Sequence, residues 1–407
     1  MALSIKESIQ TGFSDFWARK VRSLVTVVGI VLGTMSIIVV LSLVKSINQQ
    51  TIAWMMERGG LSKITVRKDW SYESQTTVKD YFTWRELEFI HSLIPEVEYF
   101  NPQNRTRLNI TYADKDFRST VYGVVPDFAA IEEWTADQGR FISNYDVVQA
   151  NDVIVIGTRV KQELFGNKNA IGQYVTAQGR RLQVIGIMEY RYMKGNNAFR
   201  ENALEYMNRQ SFIPITTMIY KGTGEDRFDY FTLKASNPQK AVQIARKLEA
   251  IILNMRQGEP VFRIESAQER ADEIQGDTET FRMIFFLISM ISLLVGGIVI
   301  MNIMMATIQE RTREIGIRIT VGARRRDIFT QFLVQTVLVT SLGGVLGVVL
   351  GVSILDIVGG YLGMELTAGL DMVLIAIGVS AGVGLIFGIS PAIKASKLDP
   401  VEALRYE

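Results

Sequence analysis

Six arginines stand between Gln309 and Asp327, in the stretch QERTREIGIRITVGARRRD, with long apolar runs on either side. The chemistry such a segment offers is ionic. Glu314 lies four residues before Arg318, the favourable order for a helical ion pair, and Glu310 lies three before Arg313. The spacing predicts that the preceding apolar helix continues into this segment, with Ile308, Ile315 and Ile319 on one side, until Gly322 breaks it. The basic turn ARRRD then leads onward. A solvated loop beside a membrane accounts for the arginines. It does not account for the ordered pairing, for Gly316 or for the VGA turn.

Covalent chemistry is poorly provided for. The chain has no cysteine, so neither a disulfide framework nor a thiolate metal site can form. Its single histidine, His91, cannot build the usual two-histidine metal centre and reads as a surface or partly buried residue. No G-x-x-x-x-G-K-[ST] phosphate loop and no G-x-G-x-x-G is present. GTGEDRF at 222–228 lacks the lysine and the helix that would follow it. No G-x-S-x-G occurs, and no carboxylate pair stands out as an acid–base dyad. The energy for any work must come from elsewhere, and no cofactor is expected in this chain. Net charge is +2, which argues against binding nucleic acid through bulk charge.

The charged segment is positioned by its neighbours. Four runs are free of charged residues: Ser23–Val44, Met283–Ile308, Ile328–Leu355 and Met372–Ile393. Each reaches the roughly 20 apolar residues that cross a bilayer as a helix. The first is too long for a signal-peptide core and no cleavage-like site follows, so it reads as an uncleaved anchor. Between 46 and 278 there are 29 Lys or Arg and 30 Asp or Glu, so this segment is near neutral. The cationic excess lies beside the apolar runs. Arg19, Lys20 and Arg22 precede the first run; Lys394, Lys397 and Arg405 follow the fourth. The loop at 356–371 carries acids only. One orientation satisfies every loop: both termini and 309–327 in the cytoplasm, 46–278 outside. Six arginines at mid-bilayer would cost about 15–20 kcal/mol, so their segment must be wet.

The domain boundaries expected are therefore a cytoplasmic interfacial helix at 1–22, spans at 23–45, 279–308, 328–355 and 372–393, and an external domain at 46–278. A cytoplasmic loop at 309–327, a short external loop at 356–371 and a tail at 394–407 complete the chain. The fold class is an integral membrane α-helical protein with four spans and a large α+β domain, of two subdomains, between the first and second. Ile5, Ile9, Phe13, Phe16 and Trp17 form the apolar face of the interfacial helix. Gly29 and Gly33, then Gly343, Gly347 and Gly351, then Gly378 and Gly382, and Gly384 and Gly388, recur every fourth residue, a spacing that lets helix backbones approach in lipid.

In the external segment DVIVIG (152–157), YVTAQ and RLQVIGIME read as strands. TWRELEFIHSLI (83–94) reads as a helix. So does 237–256, with Asn237 as cap, Pro238 at the first position, and a stripe of Ala241, Ile244, Leu248, Ile251 and Met255. The polar, aromatic stretch around 190–210 is either a loop that meets a partner or a solvated connection. At the other end, Asp399, Pro400 and Glu402 predict a short capped helix over 400–405.

With these elements in place, the sequence 302–351 and the closing PAIKASKLDPVEALR (391–405) resemble the permease half of MacB-like ABC transporters, in the FtsX-type superfamily. GRFIS (139–143) and DVIVIGTRVKQELFGNKNAIGQYVTAQGRRLQVIGIME (152–189) resemble that family's extracytoplasmic domain. The resemblance implies a bacterial inner-membrane permease that pairs with a second permease. Each of the two docks a cytoplasmic ATPase, which holds the ATP and Mg, through the loop between the second and third spans. Positions matching the docking motif are Glu310, Arg311, Thr312, Arg313, Glu314, Ile315, Gly316 and Arg318, the charges for paired docking and Gly316 for close approach. In MacB itself the ATPase precedes the first span. Only about 20 residues do so here, so a separate ATPase subunit is expected. The resemblance further implies mechanotransmission, for export or extraction of a drug, peptide or lipoprotein, with a periplasmic adaptor and outer-membrane channel among the candidate partners. The alternative within the superfamily is an FtsX-like scaffold that moves an external partner such as a cell-wall hydrolase. The size of the external segment favours the first.

Overall fold

The computed structural model describes residues 20–72, 78–193, 202–223 and 226–405. The chain divides into two units: one comprises everything up to Asn48 and from Asp277 onward, the other Gln49–Gly276. The apolar stripe expected over 1–22 lies outside the described residues.

Along the chain run α1 (Lys20–Met56), β1 (Lys63–Lys68), α2 (Trp84–Leu93), β2 (Val97–Tyr112), β3 (Lys115–Val124), β4 (Ala136–Gly139) and β5 (Val153–Ile156). There follow β6 (Tyr174–Ala177), β7 (Arg180–Met188), β8 (Gln210–Pro214), β9 (Tyr230–Ala235), α3 (Pro238–Met255) and β10 (Phe262–Ser266). The rest is helical: α4 (Ala267–Glu310), α5 (Thr312–Thr320), α6 (Arg325–Leu362), α7 (Leu370–Ser396) and α8 (Pro400–Arg405). Among the described residues, helices α1, α4, α6 and α7 are the four long and apolar enough to cross a membrane. Helix α1 runs on past residue 45 and α4 begins before 279, because a helix can leave the apolar zone without ending.

The inserted unit is a ten-stranded sheet in the order β10-β1-β9-β2-β3-β8-β5-β7-β4, with β6 paired to β2 and β7. The pairs β3–β8 and β5–β7 are parallel and the rest antiparallel. Strand β2 joins two halves: Val97–Gln103 pairs with β9, and Asn104–Tyr112 pairs with β3. The second half thus interrupts the first in sequence.

Strand alternation sorts the first half into two faces. Ile64 and Val66 of β1 and Phe231 and Leu233 of β9 point to one side. There they pack with Leu87 and Ile90 of α2 and Ala241, Ile244 and Leu248 of α3. Helix α2 starts at a capping box between Thr83 and Glu86, and α3 starts at Asn237 with Pro238 first. Each cap is worth about 1 kcal/mol. Arg256, just past α3, is buried, pairs with Glu86 at 2.9 Å, and lies 4.8 Å from the Phe82 ring centre. The other face carries Lys63, Thr65 and Arg67, with Tyr230 opposite Arg67 and Gln103 opposite Tyr230.

In the second half β5 is buried on both faces. Ile154 and Ile156 enter one core cluster and Val155 another, which is why VIVI reads as a continuous apolar run. The GRFIS motif closes a charged corner here. Asp146 is buried, caps the helix Asn144–Val148 through Ser143, and accepts hydrogen bonds from Arg140 (Nη2, 3.1 Å) and Asn151 (3.0 Å). Burial alone would raise the Asp146 carboxyl. The Arg140 guanidinium, Ser143 and Asn151 overcome that and hold it well below the usual carboxylate range. His91 is exposed and stacks on Phe100, ring centres 4.7 Å apart.

In the helical unit the glycines act where helices touch. A Cβ on Gly29 would stand 3.2 Å from Gly296 Cα of α4, and one on Gly33 would stand 2.6 Å from the Leu293 side chain. Gly343, Gly347 and Gly351 of α6 face Ile30, Thr34 and Ile38 of α1. Gly384 and Gly388 of α7 face Thr340 and Thr336 of α6. Ser380 donates to the Thr340 carbonyl at 2.7 Å. Gly378 and Gly382 depart from the expectation: among the described residues, no other helix comes within 4 Å of where their Cβ would stand. The stripe of α7 that touches α6 holds Ser380, Gly384 and Gly388. Positions two residues off that stripe point about 200° away around a helix.

Candidate docking elbow

The segment between α4 and α6 is an elbow rather than an extension. Helix α4 ends at Glu310 and a new helix, α5, starts at Thr312, correcting the continuous helix expected from the spacing. At the break, Arg311 leaves helical geometry (φ −106°, ψ 14°), and Thr312 Oγ1 donates back to the Ile308 and Gln309 carbonyls at 3.0 and 2.9 Å. Gly322, at φ +107°, ends the elbow in a conformation that a side chain would strain. Asp327 caps the start of α6 by accepting from the Arg324 amide at 3.1 Å.

The motif residues divide between two faces of α5. Thr312, Ile315 and Gly316 are buried. Ile315 joins Ile308, Ile328 and Phe332 in the core of the helical unit, with Ile319 packed at its edge. Gly316 does meet a close neighbour, but the neighbour is the chain's own tail. A Cβ there would stand 2.7 Å from Ala403 Cβ of α8, and Ala403 is itself buried. The capped tail helix forms over Pro400–Arg405, and the Val401 amide donates to Asp399 Oδ1 at 2.8 Å.

The opposite face carries exposed side chains. Glu310, Arg313 and Glu314 are exposed, and Arg311 is half-buried. Glu314 pairs with Arg318 as the spacing predicts, and Arg318 Nη1 also donates to Gln331 Oε1 of α6 at 3.0 Å, tying the elbow to the next helix. The expected Glu310–Arg313 pair does not form: Arg313 has no carboxylate partner among the described residues. Arg324, Arg325 and Arg326 are exposed. Among these charges stand two apolar side chains that the charge pattern concealed, Ile317 at 47% and Val321 at 82% exposure. They lie four residues apart, on one helical face. The signal that finds them is the apolar spacing of Ile317 and Val321, out of phase with Ile308, Ile315 and Ile319. Chemically, this face offers an apolar contact ringed by arginines and an acid. That composition suits a protein partner better than a catalytic step.

Comparison with known proteins bears on this arrangement. The chain matches the family model of the MacB-like periplasmic core domain over residues 23–251. It matches that of the FtsX-like permease C-terminal over residues 286–400. It is 31% identical over 411 residues to the macrolide export ATP-binding/permease protein MacB of Bdellovibrio bacteriovorus, covering 98% of this chain and 62% of that protein. Identity to the pyoverdine export ATP-binding/permease protein PvdT of Pseudomonas aeruginosa is 31% over 402 residues, covering 98% of this chain and 58% of that protein. The chain thus spans about three-fifths of the length of these relatives. The solved periplasmic region of MacB from Actinobacillus actinomycetemcomitans is 19% identical, with a TM-score of 0.46, covering 56% of this chain and 98% of that one.

Proposed function

This chain belongs to the MacB-like family of ABC-transporter permeases, and from that premise we propose that it passes ATP-driven motion from an ATPase partner to its inserted unit. In this reading the elbow and both termini lie in the cytoplasm and the inserted unit lies outside. ATP and Mg are held by the partner, which is a separate ATPase present in two copies. A second permease completes the assembly in the inner membrane. The work done is export or extraction of a substrate by mechanotransmission.

The observation that carries the proposal is the exposed face of α5. Ile317 and Val321 are left exposed within a ring of charge, while the helix's other face is consumed by α8 and the helical core. An ATPase gripping that face would move α5, and through Arg318 and Gln331 it would move α6.

The test is co-purification with an ATPase encoded beside this chain, together with ATPase stimulation. Ile317→Asp and Val321→Asp each place a charge in the apolar contact and are expected to lower association at least tenfold. Glu314→Arg adds like charge to a basic rim and acts in the same direction. Association and stimulation unchanged in all three variants would remove the elbow as the docking surface. Transport assays set beside cell-chaining and wall-lysis phenotypes in a deletion strain separate export from the scaffold function of FtsX-like relatives.

A further inference from the structure

The inserted unit contains a cavity of about 570 Å³, inside the range that small-molecule sites occupy. Its floor is the polar sheet face described above, with Lys63, Thr65, Arg67, Gln103 and Tyr230. The walls come from the last turns of α1, the first turn of α4 and the junction of β2 with β3. The lining holds six Lys or Arg against two Asp or Glu.

Most of that charge is already answered. Lys63 pairs with Glu132, Arg67 with Glu265, Lys68 with Asp80 and Arg270 with Glu273. Arg58 and Arg105 have no carboxylate partner among the described residues. Arg58 lies over the Trp54 ring, 4.2 Å from its centre, and Arg105 stands opposite Tyr122 across the β2–β3 pair. One carboxylate without an ion pair, Asp229, also lines the cavity, so the arginines remain in excess. Burial pushes the Tyr122 and Tyr230 phenols above their usual range, which keeps both as neutral O–H groups able to donate.

Two indoles complete the lining. Trp54 is 38% exposed and Trp70 is 71% exposed, so Trp70 contributes little to any core. The Trp70 ring lies under the Lys68 ammonium, 4.3 Å from its centre, and indoles and guanidiniums lining one cavity are an arrangement that recognises flat anions. Guanidinium binds carboxylate or phosphate in a planar, two-point fashion, and indole stacks on flat rings.

We propose that this cavity binds a small soluble anion with a flat apolar body: a carboxylate, phosphate or sulfonate carried on a ring system. Arg58 and Arg105 take the charge, and Trp54 and Trp70 take the ring. The proposal does not depend on ATPase docking, and its test needs no ATPase.

The experiment uses the full chain in phosphatidylcholine nanodiscs, titrated with 2-naphthyl phosphate and read by calorimetry. Saturable one-site binding is expected, weakened at least tenfold in Arg58→Gln and in Arg105→Gln. Trp70→Ala, whose ring is mostly in solvent, leaves the thermal melt unchanged and weakens binding several-fold. This variant separates a lost site from a lost fold. The amine of the same ring, 2-naphthylmethylamine, is expected to show no saturable binding. The proposal is overturned by absence of saturable phosphate binding, by equal affinity for the amine, or by affinity unchanged in both arginine variants. Inorganic phosphate bound as tightly as the naphthyl ester would remove the ring from the recognition. Competition from phosphatidylglycerol in the disc would overturn the assignment to a soluble solute.

Discussion

Gly316→Ala tests the contact between the elbow and the tail. The new methyl carbon would lie 2.7 Å from Ala403 Cβ, whereas ordinary contact begins at 3.4 Å. Helix α8 must therefore retreat by about 0.7 Å, and overpacking of this kind costs about 1–3 kcal/mol. Alanine also favours α5 over glycine by about 1 kcal/mol, so α5 itself holds. The strain falls on α8, a six-residue helix that cannot stand alone. Hydrogen exchange across 399–405, measured on the full chain in detergent, reads the loss directly. A loss of about 1–2 kcal/mol accelerates exchange roughly 5- to 30-fold. Ala403→Gly also speeds exchange, because glycine weakens the helix by about 1 kcal/mol. Since it removes the opposing methyl, the double variant should exchange no faster than Ala403→Gly alone. Unchanged exchange in Gly316→Ala, or strictly additive effects in the double variant, would refute the contact.

Other sites give further expectations. Gly347→Ala places a methyl group on Thr34 and 2.8 Å from the Val31 carbonyl; a loss of about 1–3 kcal/mol is expected, seen as a lower melting temperature in detergent. Gly378→Ala, inside α7 with open space around it, should hold or raise the melt, since alanine favours the helix by about 1 kcal/mol. Arg256→Met leaves Glu86 without its buried partner and should cost about 3 kcal/mol by chemical denaturation. Asp146 has a folded-state pKa well below its unfolded value, so its stabilisation is present above the unfolded carboxylate range near pH 4 and is lost as pH falls through the lower folded value. Asp146→Asn should therefore cost about 1.5–3 kcal/mol at neutral pH, and the melts of variant and parent should converge in strong acid.

Much of this architecture is written locally. Caps at Thr83 and Asn237, the uninterrupted VIVI of β5 and the four charge-free runs each specify an element from neighbouring residues alone. The charge order of Glu314 and Arg318 likewise forms as spaced. What escaped the linear pattern depends on partners far along the chain. Whether Gly378 or Gly384 meets a helix depends on the facing direction of α7, which α6 sets. Gly316 meets Ala403, 87 residues later, rather than an outside surface. The cavity floor draws on β1, β2 and β9, so no single window contains it. The arginines masked Ile317 and Val321, because charge dominates composition while exposure follows helical phase.

Strand β2 has a consequence for anyone who would dissect this protein. Its handover at Gln103–Asn104 makes it a splice shared by the two halves of one sheet rather than a hinge between them. Cutting there to isolate either half would leave a frayed border of unanswered amides and carbonyls, an invitation to stick to the next molecule. A single added residue at the same point would invert the inside and outside of everything downstream on that strand. The two halves are thus expected to be inherited, expressed and engineered together.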